Sequence, residues 1–355
     1  MKEEFIKYDS LFIYFFSGTG NAKNAALWIA RVAEEKGLNT QIINIDRFET
    51  IEPPKFTGKA LIGFCSPTHG FNVPPIVLKF LRKFPWVKNA DAFILNTRGG
   101  LKMSKLFLPG LSGLAQILPA LILRFKGFRI VGMQPLDLPA NWLLLHPGLR
   151  PKVVDSMYHR YQKITQEFTT KLIHGKRVYK ALLSLPLDIA IIPISIGYFF
   201  FGRFYLSKTM IATDACTNCG KCINQCPVKA ISYVNDRPYW SYNCESCMRC
   251  VNHCPERAIE TMQTFAISLF FISSLVISPL LILLLKEFGI WGMIKQSVIT
   301  QKIWSVLYTF IFLMLIFIFY RILHFLMRYK IVNRIVTLTS LSSYKFWRRY
   351  NPPKA

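Results

Sequence analysis

The sequence predicts an α/β protein in which a doubly wound, five-stranded parallel sheet precedes a small, cysteine-rich α+β domain and a hairpin of two membrane-spanning helices. Short apolar runs alternate with amphipathic stretches from residue 11 to about residue 133. Eight of the nine cysteines lie between Cys216 and Cys254, and two long uncharged segments follow them. Alternating strands and helices are typical of parallel sheets with crossover helices on both faces.

The elements of the sheet follow from the apolar periodicity. The predicted strands are Leu11–Phe16, Gln41–Ile45, Ala60–Phe64, Ala92–Asn96 and Arg129–Met133. The predicted helices are Asn21–Lys36, Pro74–Phe84, about Lys102–Phe125, and Lys152–His174. Ligands of such sheets bind at the carboxyl ends of the strands, so we expect the site in the turns that follow them.

The composition limits the class of protein. Hydrophobic residues make up 52% of the 355 residues and charged residues 18%, which excludes a disordered chain. The formal charge of +25 is compatible with nucleic acid, anionic lipid or an acidic protein partner. The first apolar run, Leu11–Phe16, is too short for the core of a secretory signal, so we expect the first domain in the cytoplasm.

The cysteines form two runs of the pattern C-x2-C-x2-C-x3-C-P, by which thiolates hold 4Fe–4S clusters in bacterial ferredoxins. Because the fourth cysteine of each run departs towards the other cluster, we predict two clusters with interleaved ligands. The ligands are Cys216, Cys219, Cys222 and Cys254 for the first cluster, and Cys244, Cys247, Cys250 and Cys226 for the second. Structural zinc or disulfides are the alternatives. The ninth cysteine, Cys65, is expected to be a buried thiol.

A turn of small residues follows the first strand: Ser17, Gly18, Thr19, Gly20, Asn21 and Ala22. It is neither a Walker loop nor G-x-G-x-x-G. A strand, a turn of glycines and hydroxyl residues, and a helix start still form an anion cradle, because backbone N–H groups and the helix dipole favour negative charge. A capping turn without a ligand is the alternative.

Two more turns follow the third and fourth strands. The first contains Pro67, Thr68, His69 and Gly70, and the second contains Thr97, Arg98, Gly99 and Gly100. Together with the stretch Leu138-Pro139-Ala140-Asn141-Trp142, these turns make residues 1–258 resemble the flavodoxin–ferredoxin fusion proteins of anaerobic bacteria and archaea. The resemblance implies a flavodoxin-like fold that binds flavin mononucleotide (FMN), with its phosphate on the first turn and its ring between the other two. Arg98 stands where flavodoxins usually have an aromatic residue.

Two segments are long enough to cross the ~30 Å hydrocarbon core of a bilayer as helices. Thr264–Leu285 and Ile303–Tyr320 contain no charged residue. Two buried core helices are the alternative. The basic tail after them favours the cytoplasmic side, since Lys and Arg concentrate there and anionic lipid attracts them. We therefore expect the cofactor domains and the tail to face the cytoplasm at the membrane, and we expect no nucleic-acid partner.

These patterns divide the chain into five parts. They are a flavodoxin-like FMN domain (1–175), an apolar linker that is buried or rests on the membrane (176–210), a two-cluster ferredoxin domain (211–262), two transmembrane helices (263–327, with spans at about 264–285 and 303–325) and a basic tail (328–355).

Taken together, the motifs predict a membrane-anchored electron-transfer flavoprotein that works as an oxidoreductase or electron carrier with a soluble or membrane redox protein, in particular an acidic one. An iron–sulfur redox sensor or binding module without turnover is the alternative, and an adaptor that has lost its flavin is a third hypothesis. No general acid, general base or nucleophile stands out in the sequence.

Overall fold

A computed structural model of the chain describes residues 5–50, 58–87, 90–350 and 352–353. Its N-terminal part is a parallel sheet with strand order β2-β1-β3-β4-β6-β7, and β5 pairs antiparallel with β4. The strands are β1 (Ser10–Phe15), β2 (Asn39–Asn44), β3 (Ala60–Pro67), β4 (Asp91–Met103), β5 (Leu106–Leu108), β6 (Arg129–Pro139) and β7 (Val178–Tyr179). The five predicted strands are confirmed, and their order is that of the flavodoxin-like doubly wound fold.

Helices cover both faces of this sheet. They are α1 (Asn21–Glu35), α2 (Pro75–Lys83), α3 (Leu114–Phe125) and α4 (Pro151–Ile173). On one face α1 and α4 pack together, with the rings of Trp28 and Tyr158 edge to face at 5.4 Å. On the other face Tyr14 of β1 meets Phe80 at 5.2 Å. Central strands read as continuous apolar runs because both of their faces are buried.

The helix predicted over about Lys102–Phe125 is wrong in its first half. The strand β4 continues to Met103 and turns back as β5, and the helix begins only at Leu114. Pro109, Gly110 and Gly113 lie between the hairpin and the helix, where they prevent a continuous helix. The uncharged segment there does lie inside the sheet domain, as expected.

The third predicted turn is also wrong in its conformation. Residues 96–100 are part of β4 and pair in register with β6 as far as Gly100 opposite Pro139. The strand β6 is correspondingly longer than predicted, because residues 134–139 complete this pairing. The thiol of Cys65 is buried at the end of β3, which confirms that prediction.

The apolar segment after α4 adds β7 to the edge of the sheet and then three short helices. These are α5 (Leu185–Ala190), α6 (Ile192–Gly197) and α7 (Arg203–Ser207). The two helical halves, 180–190 and 192–207, meet at 75°. Large apolar side chains on this segment are exposed, among them Leu183 and Phe200.

The cysteine-rich domain consists of two small antiparallel sheets and two single-turn helices. Its elements are β8 (Met210–Ala212), α8 (Lys221–Asn224), β9 (Ile231–Val234), β10 (Arg237–Trp240), α9 (Arg249–His253) and β11 (Ile259–Thr261). The strand β8 pairs with β11, so the two ends of the domain meet. Trp240 is fully buried in the core between the cysteine loops.

The C-terminal part contains two helices that are long and apolar enough to cross a membrane. The first, 263–287, joins α10 (Gln263–Ile272) and α11 (Ser278–Glu287) through a π-helical segment. After α12 (Ile290–Gln296) the second is α13 (Val298–Leu326), and α14 (Lys330–Thr339) follows. Only 11% of the most apolar stretch of each long helix is buried, which disfavours two core helices.

The basic tail folds back onto the domains. Arg349 donates to Glu260 at 2.6 Å in a pair whose side chains are both 7% exposed. The indole of Trp347 donates to the carbonyl oxygen of Leu143 at 2.6 Å. We expected the tail cations to face lipid, but Arg349 is buried in an ion pair, since its partner needs a compensating charge in the interior.

Candidate electron-transfer site

The two cysteine loops have the same backbone conformation 28 residues apart. Asn218 and Ser246 both adopt left-handed φ values (55° and 51°), and so do Lys229 and Arg257 (49° and 51°). Gly220 at 71° corresponds to Met248 at 59°. A positive φ costs free energy at a non-glycine residue, so the five non-glycine positions among these three matched pairs indicate that the loops are shaped to surround a ligand. The two cysteine runs thus share a backbone conformation as well as a spacing.

The thiols form two groups. Cys216, Cys219, Cys222 and Cys254, together with Cys250, line a small cavity. In the second group, Cys244 lies close enough to Cys247 and Cys226 for their charges to interact. Across the residues described, no three His, Cys, Asp or Glu side chains converge to hold a single metal ion. The lining of the small cavity thus brings Cys254 to the first three cysteines. The neighbours of Cys244 bring Cys226 to the second loop.

The surroundings of these thiols suit iron–sulfur clusters. Backbone N–H groups donate to sulfur at equivalent positions, from Ala230 to Cys226 at 3.2 Å and from Ala258 to Cys254 at 3.3 Å. Ser246 donates to Cys244 at 3.4 Å. Hydrogen bonds to the sulfur ligands and an apolar shell are the means by which a protein sets a cluster's reduction potential.

A buried lysine lies beside the second group of thiols. Lys208 is fully buried, donates to the carbonyl oxygen of Trp240 and has no carboxylate partner in the region described. Burial lowers its pKa to about 8, while the nearby Cys244 thiolate opposes that change. Its Nζ is surrounded by four rings at 4.6–5.5 Å, from Tyr239, Tyr242, Phe317 and Tyr320. An aromatic cage stabilises a desolvated cation.

The turn after β1 has the features of an anion cradle. Gly20 has a left-handed φ of 105°, and its N–H donates to the Ser17 hydroxyl at 3.0 Å. Asn21 and Ala22 are buried, and their backbone N–H groups donate to no described residue. Unpartnered donors at the start of a buried helix fit a phosphate. The turn is thus compatible with FMN phosphate, with Ser17 and residues 18–22 as its holders.

The tail closes one side of this turn. The Tyr350 hydroxyl donates to the Asn21 side chain and lies 2.7 Å from the Tyr158 hydroxyl, and Pro352 lies against Gly20. The Thr19 hydroxyl accepts a hydrogen bond from Asn141. Asn141 belongs to the stretch 138–142, on which the resemblance to flavodoxin–ferredoxin fusion proteins partly rests. Sequence patterns did not indicate Tyr350, because its partners are more than 190 residues away.

The second turn, Pro67 to Gly70, is engaged by the rest of the chain. Thr68 accepts from Asn96 at 2.6 Å through its hydroxyl. A side chain on Gly70 would overlap the ring of Tyr198, from the apolar segment. Burial lowers the pKa of His69 to about 4, so its imidazole is neutral. The ring of Tyr198 therefore lies against the turn that was expected to border the flavin ring.

The residues of the predicted third turn also make contacts within the protein. Arg98 is buried and pairs with Asp137 at 2.6 Å, and it donates to the Ser112 hydroxyl at 3.2 Å. Thr97 is buried and its carbonyl accepts from the N–H of Thr68. Side chains on Gly99 and Gly100 would meet Ala140 and Asp137. Arg98 serves as a structural partner of Asp137, which no local sequence pattern could show.

The cysteine-rich domain docks directly on the turn after β1. The carbonyl of Cys247 lies against the α-carbon of Gly18, where a side chain would overlap it. Arg249 donates to the backbone oxygen of Ser17 at 2.7 Å and to both carboxylate oxygens of Asp46. The second cysteine loop and the anion cradle are therefore in contact.

Comparisons with known proteins agree with this architecture. Residues 215–259 match the family model described as a 4Fe-4S dicluster domain. None of the curated proteins compared with the chain matches it.

Solved structures similar to the sheet domain include three of interest. A flavodoxin from the domain Archaea is 16% identical (46% of this chain, 98% of that chain, TM-score 0.28). Flavodoxin 1 from Bacillus cereus is 18% identical (45% and 97%, TM-score 0.29). Rubredoxin oxygen:oxidoreductase from Desulfovibrio gigas is 15% identical (46% of this chain, TM-score 0.30), and the match spans 36% of its length. The strand order β2-β1-β3-β4-β6 identifies the fold as flavodoxin-like. The chain is therefore a flavodoxin-like domain joined to a ferredoxin-like 4Fe-4S dicluster domain, followed by two apolar helices that could span a membrane.

Proposed function

We propose that this protein is a membrane-anchored electron-transfer protein that passes electrons between a flavin, two 4Fe–4S clusters and a redox partner at the membrane. One observation supports it most: the C-terminal part of the apolar helix α13 packs directly on the dicluster domain. Near its end, the Tyr320 hydroxyl donates to the carbonyl of Met210 at 3.0 Å, and His324 lies 3.2 Å from the carbonyl of Pro238. The clusters would therefore lie a short distance from the bilayer surface.

The thiols have a defined part in this proposal. Deprotonated Cys216, Cys219, Cys222 and Cys254 would hold one cluster, and Cys244, Cys247, Cys250 and Cys226 the other. Such clusters exchange single electrons. The chain's own contribution is to exclude water, through the core around Trp240, and to donate N–H groups to the ligand sulfurs. Both effects set the reduction potential.

FMN is the flavin that the proposal includes. When bound, a flavin accepts electrons as a pair and releases them singly. Ser17 and the unpartnered N–H groups of Asn21 and Ala22 would hold its phosphate on the turn of residues 18–22, and Tyr350 and Pro352 would cover it. The docking of Cys247 on Gly18 brings the second cluster's loop to this turn.

The membrane helices would form a hairpin with both ends in the cytoplasm. The segment 286–302 between the long helices carries three lysines and one glutamate, whereas residues 328–355 carry seven Lys and Arg and no acidic residue. This asymmetry follows the positive-inside bias. The formal charge of +25 favours a redox partner with an acidic surface.

The replacement Cys247→Ser tests the proposal in purified, membrane-reconstituted protein. We expect the variant to bind FMN and to accept electrons from a soluble donor, but to stop delivering them to a membrane acceptor. If electron uptake from the donor and delivery to the membrane acceptor both continue without that cluster, the proposed passage of electrons through the clusters is refuted. Wild-type protein that loses its clusters on oxidation but never turns over would instead support a redox sensor. Cys65→Ala serves as the control, since Cys65 is remote from both cysteine loops in the sequence and buried in the sheet domain.

A further inference from the structure

A large cleft lies between the two domains. Its volume is about 1190 Å³, which is ample for a nucleotide. One wall comes from the turn after β1 (Ser17, Gly18, Gly20), from residues 44–49 and from α2; the other comes from residues 223–229 and 242–253. Residues 66–71 and 96–100, between which a flavin ring was expected, do not line it. The cleft is thus the open side of the anion cradle that the tail closes elsewhere.

The cleft carries an excess of positive charge. Its lining includes seven cations, Lys23, Arg47, Lys79, Arg82, Arg203, Lys229 and Arg249. It also includes three acids, Asp46, Glu49 and Glu245, of which Asp46 is neutralised by Arg249. Four of the cations make no side-chain hydrogen bond or ion pair in the described chain: Lys23, Lys79, Arg82 and Lys229. Such a surface attracts an anion.

Aromatic side chains provide the apolar part of the lining. The guanidinium of Arg203 lies 4.9 Å from the ring of Phe199 and 4.4 Å from that of Phe204. Its Nε is buried and has no hydrogen-bond partner among the described residues. Phe48 and Tyr242 also line the cleft. Flat apolar surfaces next to an unpartnered donor suit a planar heterocycle with polar edges.

The cleft also reaches the clusters. Cys226, assigned above to the second cluster, is part of its lining, as is Arg249 beside Cys250. A ligand that exchanges electrons here must do so singly, because each cluster carries one. Nicotinamide nucleotides transfer hydride, whereas flavins release single electrons. Among phosphate-bearing redox nucleotides, the neighbouring cluster therefore favours a flavin.

From these observations we infer that the flavin ring lies in this interdomain cleft beside Cys226, and not between residues 66–71 and 96–100. The inference rests on the proposed function and specifies its flavin site. The phosphate stays on the turn after β1, and the ring faces the aromatic lining. Full oxidation of a reduced flavin there gives one electron to each of two oxidised clusters and two protons to the solvent-open cleft.

Two measurements test the site. The first is FMN affinity, from quenching of flavin fluorescence by the reconstituted protein. The double variant Lys79→Glu/Arg82→Glu, two exposed residues of α2, should weaken binding at least tenfold. The matched control Lys152→Glu/Lys163→Glu, two exposed residues of α4 outside the cleft, should change it less than twofold. Equal weakening in both would overturn the inference.

The second measurement is photolabelling with an azido-flavin nucleotide followed by peptide mapping. Label on residues 44–49, 75–82, 223–229 or 242–249 supports the cleft. Label confined to 66–71 and 96–100 overturns the cleft but leaves the proposed function intact. Wild-type protein that binds no FMN at all, with both clusters present, overturns the flavin part of the proposed function as well.

Discussion

Arg249 of the dicluster domain donates to both carboxylate oxygens of Asp46 in the flavodoxin-like domain, at 2.6 and 2.9 Å. The two residues are 203 positions apart in the chain. The same guanidinium reaches the backbone of the anion cradle at Ser17. One side chain thus connects the second cysteine loop to both the turn and the strand end that shape the cleft.

Disrupting this pair should loosen the docking of the domains. Arg249→Gln and Asp46→Asn should each destabilise the folded protein by about 1.5–3 kcal/mol, because both side chains are mostly buried and a charged hydrogen bond is lost. The double variant should cost little more than either single one. Thermal unfolding in detergent measures these changes. Asp214→Asn, whose side chain is 45% exposed in its pair with Arg237, should cost less than about 1 kcal/mol. Additive single effects would contradict direct pairing.

Gly18→Ala should separate the domains at another point. Its new methyl group would overlap the carbonyl of Cys247, so the second cysteine loop must move. We expect a chelator to remove the second cluster faster than in the wild type. The decay of the iron–sulfur absorbance measures this loss. Gly197→Ala is the matched control, since nothing lies within 4 Å of the added carbon. Identical decay in both variants would show that the contact at Gly18 has no influence on the loop.

Lys208→Met should lower the reduction potential of the second cluster. The buried positive charge favours the reduced cluster, which carries one more negative charge than the oxidised one. Its loss should shift the potential on the order of tens of millivolts, given the low effective dielectric of the interior. A redox titration that is monitored by electron paramagnetic resonance measures the shift. Lys221→Met, on an exposed residue of the same domain, should change it far less. An unchanged potential in a folded Lys208→Met variant would exclude the electrostatic role.

The interleaved ligand assignment makes a specific prediction for the fourth cysteines. Cys254→Ser should affect the same cluster as Cys219→Ser, and Cys226→Ser the same cluster as Cys247→Ser. Iron content together with the electron paramagnetic resonance spectrum of the remaining cluster distinguishes the two groups. If Cys226→Ser affected the same cluster as Cys219→Ser, the assignment would be contradicted.

The proposed membrane hairpin predicts opposite accessibility for two exposed lysines. A cysteine at Lys295, between the long helices, should react with an impermeant maleimide in intact cells. A cysteine at Lys36, at the end of α1, should react only after the membrane is permeabilised. Wild-type protein provides the background. Labelling of position 295 only after permeabilisation would refute a hairpin with cytoplasmic ends.

The sequence by itself determined the sheet, the two cysteine runs and the apolar helices. Each depends on a local pattern: β1 and β3 on apolar runs, the cysteine runs on spacing within 11 residues, and α13 on continuous hydropathy. Local patterns also located the cradle at Ser17 to Ala22, because a strand end, glycines and a helix start are adjacent in the chain. They failed at Lys102, where pairing with β5 outweighed the helical periodicity.

Only the tertiary structure decided what surrounds those motifs. Arg98 looked like a loop residue open to a ligand, but its charge is neutralised by Asp137, 39 positions away. Tyr198 fills the space beside Gly70, and Tyr350 reaches Asn21 from near the end of the chain. The cleft itself exists because Arg249 and Cys247 dock on the turn after β1. Such contacts join residues far apart in sequence, and their energies depend on burial and charge compensation, which no local pattern carries.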